Sequence, residues 1–259
     1  MDLGLRDRTV LVTGASSGVG LATAQMLLAE GANVAACARD LDRLTAVLTD
    51  ASTERLHLVS CDVTNQSAVE AFVESAVDRF GGADGVVCNA GRSLMAPIES
   101  TTDAQIREEF DLKIFGVLNL VRAAQTHLAT SQVGSVVTVN AILARQPEPR
   151  LPVTSAARAA LLNLTRTLAT SLGSEGIRIN SVLLGLVDTG QWSRRYAEAD
   201  TSLTYAEWAS ELASDRGVVL GRLGTAAEVA FPIVSLLSPL SGYTTGACID
   251  VGGGVGRYV

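Results

Sequence analysis

The stretch that most constrains the fold is Thr9 to Gly20, TVLVTGASSGVG. Its β-branched apolar start, Thr9 to Thr13, reads as a buried strand. The strand stops at Gly14, and Gly18 and Gly20 follow across Ser16, Ser17 and Val19. Leu21 to Glu30 then keeps a helical period through Leu21, Ala24, Leu27 and Leu28. A strand that turns on glycines into a helix N-terminus gathers unpaired backbone N–H groups and a positive dipole end at one place, which suits a pyrophosphate. The spacing is G-x-x-x-G-x-G, distinct from the general G-x-G-x-x-G fingerprint.

Strand-like and helix-like runs alternate along the rest of the chain. Strands are expected at Asn33–Cys37, Leu56–Cys61, Gly85–Cys88, Gly134–Val139, Ile177–Leu184 and Gly246–Val251, and helices at Leu41–Leu48, Ser67–Phe80, Asp103 to about Leu128 and Ser155–Leu172. On the long helix, Ile106, Phe110, Ile114, Val117, Leu118 and Val121 define the expected inner face. This alternation predicts an α/β fold: a single-domain, doubly wound Rossmann sheet of about seven parallel strands with helices on both faces, covering residues 1–259. Cys37, Cys61, Cys88 and Cys248 show no C-x-x-C spacing and all end strand-like runs, so they read as buried thiols in a reducing compartment. With no apolar run near bilayer length, no secretion signal and a net charge of −7, the expectation is a cytoplasmic protein that engages neither membrane nor nucleic acid. No metal site is expected.

Several motifs coincide in order: Thr13-Gly14-Ala15-Ser16-Ser17-Gly18-Val19-Gly20, Cys61-Asp62-Val63, Asn89-Ala90-Gly91, Gly176-Ile177-Arg178-Ile179-Asn180, Gly185-Leu186-Val187-Asp188-Thr189, Gly221-Arg222-Leu223-Gly224 and Asp250-Val251-Gly252-Gly253. Together they resemble the short-chain dehydrogenase/reductase family over essentially the whole chain. The resemblance implies a sheet binding NAD(H) or NADP(H), with Asp62 and Val63 at the adenine and Asn89, Ala90 and Gly91 flanking the cofactor. It also implies that Gly185, Val187 and Thr189 lie near the nicotinamide and that the protein is a homotetramer. NAD-specific members resemble one another in an acid at the end of the second strand. This chain has Ala38-Arg39 there, and a guanidinium matches a 2′-phosphate, so NADP(H) is favoured over NAD(H).

The resemblance further implies four catalytic residues, Asn, Ser, Tyr and Lys. At the matching positions this chain has Lys113, Ala141, Thr154 and Arg158. No tyrosine occurs between Gly91 and Tyr196, and no Tyr-x-x-x-Lys occurs anywhere. An aliphatic hydroxyl is a weaker acid than a phenol, and arginine holds its proton, although Arg158 retains the charge to hold a ribose. Two readings remain: an oxidoreductase on a keto or hydroxy compound with a rebuilt active site, or a catalytically silent cofactor-binding protein, such as a subunit paired with an active relative. Haloalcohol dehalogenases are similar in placing arginine at the lysine position. They keep Ser and Tyr and lose the glycine motif, the reverse of this chain.

Lys113 is the only lysine among 20 basic residues. By the resemblance it lies near Arg158, with Leu112, Ile114 and Phe115 as buried neighbours. Either it turns to a carboxylate such as Asp111 or Glu148, or the two cations receive an anionic small-molecule substrate, or Lys113 is itself the proton donor. The remaining departure from the pattern is Gly190 to Gly217, which holds Trp192, Tyr196, Tyr205 and Trp208. The spacing predicts two helices whose aromatic residues form either a plain core face or a lid over the mouth of the sheet.

Overall fold

The computed structural model describes residues 1–48 and 54–258. Seven strands, β1 (Thr9–Thr13), β2 (Asn33–Ala38), β3 (Leu56–Ser60), β4 (Gly85–Cys88), β5 (Ser135–Ala141), β6 (Arg178–Leu184) and β7 (Cys248–Val251), form one sheet in the order β3-β2-β1-β4-β5-β6-β7. Every pairing is parallel. The order reverses between β1 and β4, so the carboxyl ends of those strands diverge and leave a crevice above the sheet.

Parallel strands buried on both faces need apolar residues at consecutive positions, and β1 is buried throughout. Its side chains alternate between the two faces. Val10 and Val12 pack in one core with α1 (Gly18–Ala29) and α9 (Ala226–Leu237), whereas Leu11 packs in the other with α3 (Gln66–Phe80), α5 (Gly116–Thr130) and α6 (Pro152–Leu172). The shorter helices are α2 (Leu41–Val47), α4 (Asp103–Phe110), α7 (Gly190–Ala197) and α8 (Tyr205–Asp215).

Three expectations are corrected. The helix from Asp103 is not one regular rod, because a π turn at Asp111–Phe115 joins α4 to α5. The wider turn breaks the 3.6-residue period. As a result Ile106, Phe110 and Ile114 are only half-buried, Phe115 is 50% exposed, and Glu109 and Lys113 point inward. Helix α9 has no counterpart among the expected elements. It is apolar almost all round and contains Pro232, which obscures a helical pattern, yet Val229, Ile233 and Val234 are core. Cys248 begins β7 rather than ending a strand and is half-buried, while the other three free cysteines are buried.

Candidate active site

At the end of β1 the chain turns through Gly14 and Gly18, both at positive φ (67° and 56°). A Cβ on Gly14 would lie 2.8 Å from the Ala90 backbone, and one on Gly20 would lie 2.4 Å from the Gly14 carbonyl oxygen. These glycines therefore permit β1, β4 and the start of α1 to close on one another. Asn89 fastens the closure: its side-chain amide donates to the Thr13 and Gly14 carbonyls at 2.9 and 3.1 Å. The Thr13 hydroxyl accepts from the Asn89 and Ala90 backbone N–H groups, each at 3.1 Å. Ser17 stands at the N-cap of α1 and makes no side-chain cap, so no side chain takes up the helix's first N–H groups there.

A cleft of about 1220 Å³ opens over this turn. All the residues expected at the site line it except Gly20, Lys113 and Thr154. On the β2 side Arg39 and Arg43 stand together in its wall. Arg43 had a local signal, since it lies four residues past Arg39 on the next helix. Asp62 accepts from the Thr64 backbone N–H at 2.9 Å and the Thr64 hydroxyl at 2.7 Å. Those bonds hold its carboxyl below the usual range, with a smaller contribution from the Arg39 guanidinium. On the other side Gly185 packs against Gly252, and the Asp188 N–H donates to the Gly224 carbonyl at 2.7 Å. This bracing sets Thr189 beside Gly18, where a Cβ would lie 3.3 Å from the threonine methyl.

The inner end of the cleft is reached by β5, α6 and the π turn. Ala141 and Arg158 line it. The Arg158 guanidinium donates to the Val139 carbonyl at 2.7 Å, and the Asn140 side-chain amide donates to the Arg158 carbonyl at 3.1 Å. Burial lowers Arg158 to about 10, which leaves it cationic at neutral pH. Among the described residues its Nε is buried without a hydrogen-bond partner, and so is Oε1 of Glu109.

Lys113 and Thr154 lie behind that wall and converge on Glu109. The Glu109 Oε2 accepts from Lys113 Nζ at 2.6 Å and from the Thr154 hydroxyl at 2.5 Å. Lys113 and Glu109 are each 2% exposed, and Thr154 is fully buried. Lys113 also donates to the Arg92 carbonyl at 2.9 Å, while the Leu94 N–H donates to the Thr154 hydroxyl at 3.0 Å. Burial first, and then the Arg158 guanidinium, lower Lys113 to about 8 against the opposing pull of Glu109. The partner of Lys113 is thus neither Asp111, which is exposed, nor Glu148, which pairs with Arg216. Glu109 stands four residues before Lys113, a helical Glu–Lys spacing visible in the sequence.

The sheet order and the glycine turn define a doubly wound α/β protein of Rossmann type. Residues 14–256 match the family model described as enoyl-(acyl carrier protein) reductase. The chain is 32% identical to the cis-4-hydroxycyclohexanecarboxylate dehydrogenase of Sinomonas cyclohexanicum, over 96% of both proteins. Among solved structures it is similar to a short-chain oxidoreductase of Pseudomonas aeruginosa PAO1 described as containing an atypical catalytic center. The apo form is 43% identical with a TM-score of 0.95, covering 98% of this chain and 99% of the other. The NADPH-bound form is 44% identical with a TM-score of 0.92, covering 98% of each. L-sorbose reductase from Gluconobacter frateurii, solved with NADPH and L-sorbose, is 29% identical with a TM-score of 0.95 over the full length of both. The chain belongs to the short-chain dehydrogenase/reductase family.

Proposed function

We propose that this protein is an NADP(H)-dependent oxidoreductase acting on a keto or hydroxy compound through a rebuilt active site. The carrying observation is the single cleft that joins the glycine turn, the arginines after β2 and the half-buried Arg158. The residues fit a dinucleotide: no side chain caps the N-terminus of α1 at the edge of the cleft, and among the described residues the Arg158 Nε is buried without a hydrogen-bond partner. Gly14, Ser16, Ser17, Gly18 and Val19 would hold the pyrophosphate, with Gly20 keeping the turn tight. Arg39 and Arg43 would take the 2′-phosphate, and Asp62 and Val63 the adenine. Asn89, Ala90, Gly91, Gly185, Val187 and Thr189 would enclose the remainder. Two of the similar structures hold NADPH, which supports this choice.

When bound, such a cofactor supplies or accepts a hydride. Arg158 would hold the ribose and set its positive charge near oxygen charge that develops on the substrate; electrostatic stabilisation of that kind is a large catalytic effect. Ala141 leaves room where a hydroxyl is usual. Lys113, with its lowered proton affinity, would return a proton to the site through Glu109 and Thr154, so Lys113, Thr154 and Glu109 act from behind the wall. A specific observation also favours the silent reading: Lys113 and Thr154 do not line the cleft, and their polar groups are satisfied by Glu109, Arg92 and Leu94.

Calorimetric titration tests the cofactor half of the proposal. NADPH should bind at least several-fold tighter than NADH, and Arg39→Asp should reverse the order. Superimposable curves for the two cofactors in the wild type would contradict it.

A further inference from the structure

Beyond Thr189 the cleft wall is α7, whose last turn carries Arg194 and Arg195. Arg216, following α8, joins them, and all three line the cleft. Arg216 pairs with Glu148. Among the described residues no carboxylate lies within ion-pair distance of Arg194 or Arg195. A protein of net charge −7 thus gathers three guanidiniums at one wall of its cleft, with Glu148 paired to Arg216 and Glu198 acting on Arg195 only from beyond ion-pair distance. Like charges so placed repel, and a counter-charge supplied from outside would relieve them.

The cluster is held in place. The Arg195 guanidinium lies over the Trp192 ring, 4.5 Å from its centroid. Trp192 packs on Trp208 at 6.3 Å, and Tyr196 on Tyr205 at 5.3 Å. The Tyr196 hydroxyl donates to the Leu203 carbonyl at 2.7 Å. Burial first, then the Arg216 and Arg194 charges, hold Arg195 below its ordinary range against a weaker opposing pull from Glu148 and Glu198. An arginine fork that is braced and short of counter-charge suits the planar oxygens of a carboxylate or phosphate.

We propose that Arg194, Arg195 and Arg216 anchor an anionic group, a carboxylate or phosphate ester, carried by the substrate at a distance from its reacting carbon. The assignment rests on the oxidoreductase reading above and names its substrate class. Arg195 lies six positions after Thr189, about 9 Å along a helix, so the anion sits on an arm of several carbons.

The test titrates NADPH-saturated protein with 7-oxooctanoate, 7-oxooctyl phosphate and the uncharged methyl 7-oxooctanoate. At least one of the two anions should bind tenfold or more tighter than the ester, and whichever binds better identifies the group. The double variant Arg194→Gln, Arg195→Gln should lose that tenfold, whereas Arg195→Lys, which keeps the charge, should stay within about threefold of wild type. Affinity for NADPH itself should differ less than twofold between the double variant and wild type. Equal binding of ester and anions, or no binding of either anion, would overturn the proposal. So would a tenfold loss of NADPH affinity in the double variant, which would assign the arginines to the cofactor. Binding is read without turnover, so ketones that bind as anions yet leave NADPH unoxidised count against the catalytic reading and support the anchor.

Discussion

Glu109 organises the buried end of the site at the scale of single residues. It accepts from Lys113 and Thr154 through one oxygen while its other oxygen lacks a partner among the described residues. Breaking a buried ion pair from one side leaves an uncompensated charge and typically costs about 3–5 kcal/mol. Glu109→Gln should destabilise the protein by about that amount in denaturant unfolding. Adding Lys113→Met should restore most of the loss, since no ammonium then needs a partner. If the single and double variants were equally unstable, Glu109 would be acting through packing alone. The lowered Lys113 makes a second prediction. Its folded value is about 8, against about 10.4 in an unfolded chain. Between these values the unfolded chain binds a proton that the folded chain has released, so stability attributable to Lys113 rises with pH in that window. Wild type should therefore gain on Lys113→Met as pH rises from 8 to 10, with a flat difference from pH 6 to 7.5. A difference that falls over the upper window would show that the pairing with Glu109 outweighs burial.

Elements whose sequence periods are uninterrupted were legible: β1 and β4 match their expected bounds, and α3 and β2 differ by a residue. Legibility failed where a second principle intervened. The π turn shifted which side of the long helix is buried, which is why Glu109 escaped notice beside a conspicuous Lys113. Pro232 and an all-round apolar surface concealed α9. Lining residues supplied by motifs were recovered apart from Gly20, whereas Arg43, Arg194, Arg195 and Arg216 belong to no motif; Arg43 had only its spacing from Arg39 as a signal, and three-dimensional assembly brings the other three to the cleft. The glycine turn carries its own prediction: Gly20→Ala places a Cβ 2.4 Å from the Gly14 carbonyl and the Asn89 amide. It should lower NADPH affinity at least tenfold, and an unchanged titration would show that the turn relaxes freely. The aromatic residues of α7 and α8 pack on one another, and Trp192 also packs against the core cluster that contains Ile142 and Leu183, so this pair of helices is partly core. If α7 nevertheless closes over a ligand as a lid, saturating NADPH with substrate should protect residues 192–208 from proteolysis and shift the tryptophan emission. Cleavage at an unchanged rate would leave only the packing role.

Across the whole molecule, one parallel sheet brings together a glycine turn, two arginines after β2, the half-buried Arg158 and an arginine-rich outer wall. No described helix is long and apolar enough to cross a membrane. The relatives include enzymes named for hydroxycyclohexanecarboxylate and for L-sorbose, both of which offer a hydroxyl or carbonyl carbon for hydride exchange. Self-association into a tetramer, or pairing with an active relative, is our proposal from the family resemblance. Sedimentation of the protein alone at micromolar concentration should give a mass near four times 26.9 kDa, and a monomeric species would contradict the homotetramer. The central claim is that this cleft transfers hydride although its proton-handling groups are rearranged. The direct measurement is incubation with NADPH deuterated at the transferring carbon and a panel of keto acids and neutral ketones, followed by mass spectrometry of the products. The account predicts deuterium on the carbinol carbon of at least one product, with the rate falling about a hundredfold or more in Arg158→Met. Tight NADPH binding with no deuterium in any product would contradict it and establish the silent reading.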